Sequence, residues 1–353
     1  MKKVIIISST FSRDKKGGVA SYVDNRAKYL SKKVDVIVCA LGTNSYSDAN
    51  IAYKSIGNPL LFKYYFIAYW AKLILFCLKQ KEAVIEIHNI PVALPVFFMF
   101  KNRYFFHGPA RQEAEAENKP LMIQYSSYLL ELVSLKLSNK IFVVSNFFRK
   151  TLQDEHPYIT SRILKKLPIY EYKNYFFDPN SIPSDGLNFV MVRRLVKRTG
   201  VLQFVALFIK MLETNCLENN AVLTIAGEGP EREKIIELIA QSKFKKNIDC
   251  LGIVSEQKKI ELFQRADYNI VPTLKLEGFG LVIIEAAICG CKSIVTNVGA
   301  MPEVITYLSK QGHIFELADE RSSMNMFKSL KKRAYDKKQL HDLTKDFFFF
   351  ESH

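Results

Sequence analysis

Short apolar runs, each followed by a segment of helical period, recur along the whole chain and admit few folds besides parallel strands covered by helices. In the first half the runs are Val4–Ser8, Val34–Cys39, Val84–His88, Tyr104–His107 and Lys140–Val144, with helices expected from about Val19 to Lys32 and over Leu121–Leu137. The periodicity breaks between Pro168 and Ser184, where Pro179, Pro183 and then Gly186 stand in a polar stretch. It restarts with strands at Asn188–Val192, Ala221–Ala226, Ile248–Leu251, Tyr268–Pro272 and Ser293–Thr296, and with helices from about Val201 and Pro230. The reading is two successive Rossmann-like α/β domains, 1–170 and 187–353, joined by a linker over 171–186. At 353 residues and 48% hydrophobic content the chain can fill two cores.

Six scattered cysteines, with no C-x-x-C pair or histidine partner, lack metal-ligand spacing and fit a reducing cytoplasm. The apolar run after Met1-Lys2-Lys3 is too short for a signal peptide and is interrupted by Arg13, Asp14, Lys15 and Lys16, so it reads as a first buried strand. Charge is unevenly placed. Residues 1–180 hold 26 Lys and Arg against 14 Asp and Glu, a net +12 of the chain's +15. Such an excess suits an anionic surface, and with no nucleic-acid motif beside it a phospholipid membrane is the partner expected, against a plain solvated surface.

Leu60–Leu78 is apolar and aromatic apart from Lys63 and Lys72, which nine residues of helix place on opposite faces. A helix apolar all round is first expected in a core. The alternative is an interfacial helix with Tyr64, Tyr65, Tyr69 and Trp70 at headgroup depth and its lysines snorkelling; a true span comes last.

Several strand ends carry residues suited to an anionic, hydroxylated ligand. After the strand Tyr268–Pro272 comes Leu276-Glu277-Gly278-Phe279-Gly280-Leu281, then a helix containing Glu285 eight residues after Glu277. The glycines allow close backbone approach, the free N–H groups of the helix start favour an anion, and the loop carboxylate can accept from hydroxyls. A sugar diphosphate would use all three. Val192-Arg193-Arg194-Leu195-Val196-Lys197-Arg198-Thr199-Gly200 offers cations after another strand, and Gly227-Glu228-Gly229-Pro230 follows a third. Arg232 replaces the last glycine of a G-x-G-x-x-G fingerprint and Asp249 starts its strand, which argues against a dinucleotide site. Gly17-Gly18 closes the loop after the first strand, and His107 ends its own, with Glu113 following. His88 reads as structural. Solvated loops and helix-surface charges are the plain alternative at each position.

Together these stretches resemble the family 4 (group 1) retaining glycosyltransferases of the GT-B fold, most closely over 188–305. Glu277 and Glu285 match that family's E-x7-E element, and Val298-Gly299-Ala300-Met301-Pro302-Glu303 follows in its order. The resemblance implies two doubly wound Rossmann-like domains facing each other across a cleft. It implies transfer of a sugar from a nucleoside-diphosphate co-substrate to a saccharide or lipid-linked saccharide, with no other cofactor. Glu277 would hold donor hydroxyls, Glu285 the ribose, and Arg194 with Arg198 the diphosphate. Gly17, Gly18, Gly227, Glu228, Gly229, Phe279, Gly280 and Leu281 would line the donor site, His107 would orient the sugar, and Glu113 would lie near the acceptor. The lysine usual before Gly200 is Thr199 here, so Arg198 or Lys197 must replace it. No D-x-D pair is present, and under the resemblance arginine would take the place of a metal ion. The expected setting is cytoplasmic, peripheral on the inner membrane face. A carbohydrate-binding or scaffold protein on a degenerate fold, and a sugar-nucleotide epimerase or phosphorylase, are the alternatives.

Overall fold

The computed structural model describes the chain apart from residues 1–2, 12–17, 49, 81, 117–118, 172–176, 179–185, 332–335 and 351–353. Gly17 and most of the expected linker therefore lie outside the described residues. The chain divides into two compact units, Met1–Glu171 and Tyr172–His353.

The first unit runs β1 (Lys3–Thr10), α1 (Gly18–Ser31), β2 (Asp35–Leu41), β3 (Tyr46–Asp48), β4 (Ile51–Gly57), α2 (Phe62–Leu78), β5 (Val84–Ile87), α3 (Ile90–Met99) and β6 (Asn102–Phe106). It continues with α4 (Ala110–Ala116), α5 (Leu121–Leu137), β7 (Lys140–Val143), α6 (Asn146–Glu155), β8 (Ile163–Lys165) and β9 (Tyr170–Glu171). Eight strands form one sheet in the order β3-β4-β2-β1-β5-β6-β7-β8, and only β3 is antiparallel. Ile5, Ile6 and Ile7 of β1 are wholly buried, as a central strand covered on both faces requires. Under the sheet Arg26 forms a bidentate pair with buried Glu86, at 2.7 and 2.6 Å.

The second unit runs β10 (Asn188–Val192), α7 (Val201–Glu213), β11 (Val222–Ala226), α8 (Arg232–Gln241), β12 (Ile248–Gly252), α9 (Glu256–Arg265) and β13 (Tyr268–Val271). After these come α10 (Leu281–Ile288), β14 (Lys292–Thr296), α11 (Met301–Tyr307), β15 (Gly312–Phe315), α12 (Glu320–Lys328) and α13 (Lys337–Phe348). Its sheet is wholly parallel, in the order β12-β11-β10-β13-β14-β15. The chain winds outward from β10 through β11 and β12, then crosses back to β13 on the other side. The switch point thus lies between β10 and β13, where open α/β sheets leave a crevice at the strands' carboxyl ends. The core packs Phe189, Phe204, Phe208 and Phe327 around Tyr268 and Ile294. Helix α13 closes on α10, with Phe348 buried edge-on to Phe279 and His341 Nδ1 2.5 Å from Ile288 O.

One expectation is overturned. Helix α2 is not a core helix: of its residues only Leu73 and Cys77 are buried. Apolar character on every side favours burial, yet the sheet and α3 cover a single stripe.

Candidate active site

Strand β10 ends at Val192, and the next residue donates its N–H to Ala226 O at 3.0 Å, so the loops after β10 and β11 are tied together. Gly227 makes that contact possible: a Cβ there would stand 1.8 Å from Arg193 O. Leu195 N–H donates to Glu228 O at 2.8 Å, while the half-exposed Glu228 side chain pairs with Arg232 at 3.1 Å. Gly229 is held against the same loop, 2.2 Å separating an added Cβ from Leu195 O.

The loop after β13 meets this pair because β10 and β13 are neighbours. Leu276 takes a left-handed φ of 56° without being glycine, which points to a segment held in shape by its surroundings. Glu277 O accepts from Ala300 N–H at 2.9 Å, and Glu277 Oε1 accepts from Gly280 N–H at 3.1 Å. Glu277 Oε2 accepts from Arg193 Nη2 at 3.3 Å. The Arg193 side chain is 8% exposed and that of Glu277 20%. Burial lowers the Arg193 guanidinium below its usual range, and Glu277 opposes the shift. Two further Arg193 nitrogens, Nε and Nη1, are buried without a hydrogen-bond partner.

Of two adjacent arginines, the structure thus turns Arg193 toward Glu277 and leaves Arg194 exposed. Arg198 donates from Nη1 to Leu276 O at 3.0 Å, bracing the glutamate loop from the other side. Thr199 is buried, its hydroxyl 2.6 Å from Val196 O and 2.9 Å from Arg194 O. The threonine's short hydroxyl thus serves the loop's own carbonyls.

Gly280, at φ 79°, leads into α10, whose first residue is Leu281; Phe279 just before it is buried. Glu285 lies one turn in, 12% exposed, with Oε2 3.0 Å from Lys259 Nζ of α9. Lys259 also holds Glu256 at 2.8 Å. Burial alone would lower the lysine, but Glu285 and Glu256 outweigh it and raise it. Lys259 carried no sequence signal: nothing local marks a helix lysine as the partner of a carboxylate 26 residues away.

In the first unit, His88 follows β5 and His107 follows β6, their strands adjacent in the sheet. His88 Nδ1 and His107 Nε2 are 2.9 Å apart. Burial lowers both rings, His107 to about 4, and His107 and Arg26 lower His88 further. Both are therefore neutral near pH 7, one donating and the other accepting. His88 stacks on Phe105 at 4.4 Å, and Tyr22 of α1 meets His107 edge-on at 5.2 Å. His88, read from sequence as structural, is thus joined to the histidine read as functional. Gly18 opens α1. Glu113 lies on α4 over Gly108, an added Cβ of which would be 2.5 Å from Glu113 Oε1. Buried Glu131 of α5 accepts from Ala110 N–H at 2.7 Å. Burial raises its carboxyl to about 7, the Ala110 bond opposing and Glu155 and Glu113 adding to the rise.

Two α/β units on largely parallel sheets, with carboxylates, guanidinium groups and a helix start gathered at the switch point of the second, have the architecture of the GT-B fold. Residues 173–345, nearly the whole second unit, match the family of group 1 glycosyl transferases. A gpi3 subunit of phosphatidylinositol N-acetylglucosaminyltransferase from Schizosaccharomyces pombe is 30% identical over 134 residues, which is 38% of this chain and 28% of that protein. The structure is similar to sucrose-phosphate synthase from Thermosynechococcus elongatus, with TM-score 0.77, 16% identity and coverage of 98% and 93% of the two chains. It is also similar to Anabaena Alr3699/HepE, solved in complex with UDP-glucose, with TM-score 0.78, 12% identity and coverage of 99% and 96%. At these identities the two structural likenesses are likenesses of fold.

Proposed function

We propose that this protein moves a sugar, with retention of anomeric configuration, from a nucleoside-diphosphate donor to a saccharide or lipid-linked saccharide of the cell surface. The observation that carries the reading is the meeting of Arg193, Glu277 and the start of α10 where β10 and β13 end. Glu277 keeps lone pairs beyond those used by Gly280 and Arg193, and these accept from donor-sugar hydroxyls. Arg194 and Arg198 face the diphosphate, with the backbone N–H groups of Phe279, Gly280 and Leu281 adding to the anion site. Fixed donors of this kind stabilise the charge that grows on the leaving group. Their positive charge is our reason for assigning a metal-independent reaction. Glu285, oriented by Lys259, accepts from the ribose hydroxyls, and the turn Gly227–Gly229 approaches the nucleotide.

The amino-terminal unit takes the acceptor through the Glu113 region, while Gly17 and Gly18 line the donor site and His107 orients the donor sugar. Transfer is same-face, the leaving oxygen helping to deprotonate the acceptor hydroxyl, so no protein nucleophile is required. The relative's name, with its phosphatidylinositol acceptor, favours a lipid-linked substrate. The basic amino-terminal half favours work on the cytoplasmic face of a membrane. A thermal-shift panel of nucleotide sugars followed by turnover assays tests the proposal, since a bound donor raises stability by mass action. One donor should stabilise the wild type, and Glu277→Gln should abolish its turnover. Stabilisation by no nucleotide sugar, together with no turnover, would overturn it.

A further inference from the structure

We infer that the exposed stripe of α2 is a membrane-insertion surface, whose occupant is the headgroup and upper acyl region of an anionic bilayer. This rests on the membrane attachment proposed above and adds the face that makes it. Beyond the kink at Tyr65, Ile67, Ala71, Leu75 and Leu78 follow at steps of four and three, so they form one side of the helix, and every one of them is exposed, as is Tyr64 before the kink. Tyr64 is 67% exposed, Ile67 69% and Leu75 59%. The opposite side, with Leu73 and Cys77, packs on the protein, and Trp70 donates to Pro91 O of α3 at 3.0 Å. Neighbouring α3 ends on exposed Phe98 and Met99. Contiguous exposed apolar surface of this kind marks an interaction site.

Charge decides the occupant. No acidic residue stands between Asp48 and Glu82, whereas Lys63, Lys72 and Lys79 lie along α2, and α3 carries no charge. A second copy docked on the same face would set these lysines against their own counterparts. An anionic bilayer complements them, accepts aromatic side chains at headgroup depth, and buries the stripe. No described helix is long and apolar enough to cross a membrane, so α2 lies in the interface plane. Lysines then govern the encounter, and apolar burial retains the bound protein.

Trp70 is the chain's only tryptophan and sits on this helix, so it reports on insertion directly. The full chain is mixed with phosphatidylcholine vesicles, with and without phosphatidylglycerol, whose acyl chains are brominated. Anionic vesicles should sediment the protein and quench Trp70, and a salt wash after binding should leave most of it attached. Ile67→Glu/Leu75→Glu should lose vesicle binding by about tenfold or more, the loss expected when two apolar anchors become charges. Lys72→Glu/Lys79→Glu should slow capture at low salt. Vesicle binding without quenching, or binding unchanged by Ile67→Glu/Leu75→Glu, would overturn the assignment of this face. A concentration-dependent dimer abolished by that double variant would replace the bilayer by a second copy. Neither donor nor acceptor enters the experiment, so failure here leaves the transferase reading standing. Failure of every donor assay leaves this result standing in turn.

Discussion

Replacing Arg193 by methionine removes a guanidinium but keeps a long apolar stem, which isolates the role of its charge toward Glu277. At 3.3 Å and an effective dielectric near 20, the gross attraction is about 5 kcal/mol. Desolvation of a side chain only 8% exposed consumes much of this, and Glu277 at 20% exposure is partly screened. Breaking fully buried pairs costs about 3–5 kcal/mol and exposed pairs contribute about 0–1, so this pair belongs between them, at about 1–2 kcal/mol of stability. The two unpartnered nitrogens reduce the loss further, because methionine removes unsatisfied donors along with the bond. Activity should suffer more. A glutamate freed of one anchor holds donor hydroxyls less exactly, and a tenfold to hundredfold fall in kcat/KM corresponds to about 1.4–2.8 kcal/mol. Lysine should restore the fold but only part of the rate, lacking the fork that reaches Glu277. The assay is a double-mutant cycle with Glu277→Gln, read by urea unfolding and by donor turnover. A coupling of about 1 kcal/mol or more is expected in turnover. Additive effects, or Arg193→Met losing stability while turnover is untouched, would refute a positioning role.

Glu131, raised to about 7 from the ordinary 4.5, binds its proton more tightly folded than unfolded, so its contribution to stability is present in acid and declines as pH rises toward 7. Glu131→Gln should therefore gain on the wild type progressively across that window, by roughly 3 kcal/mol at the top; parallel stability curves would remove the effect. Glu285→Ala should weaken binding of the free nucleoside diphosphate by about 1.5–3 kcal/mol, and Lys259→Met should move it the same way. Unchanged calorimetric affinity for both variants would take α10's carboxylate out of the nucleotide site. Arg198→Ala should lower turnover far more than Lys197→Ala, since Arg198 also braces Leu276 O; equal small effects would leave Arg194 as the diphosphate's cation. Thr199→Lys should not rescue Arg198→Ala, because position 199 is buried and its hydroxyl lies against Arg194 O and Val196 O.

Much of this protein was legible from local pattern. The limits of β10 and α5 coincide with the sequence reading, because a buried strand or a long helix is specified by neighbours within a few residues. The placing of Glu277 in a glycine-bounded loop and Glu285 in the following helix was local in the same sense. Tertiary structure decided what depends on neighbours distant in sequence. Whether Arg193 or Arg194 meets Glu277 follows from how the chain turns at the end of β10 and from β13 lying next to that strand. Lys259 reaches Glu285 because α9 packs on α10, and His88 reaches His107 because β5 pairs with β6. The apolar character of α2 was plain in the residues, yet composition measures only a side chain's preference for leaving water. Whether protein or solvent covers that helix is decided by what packs against it, and in this fold its outer stripe has been left uncovered.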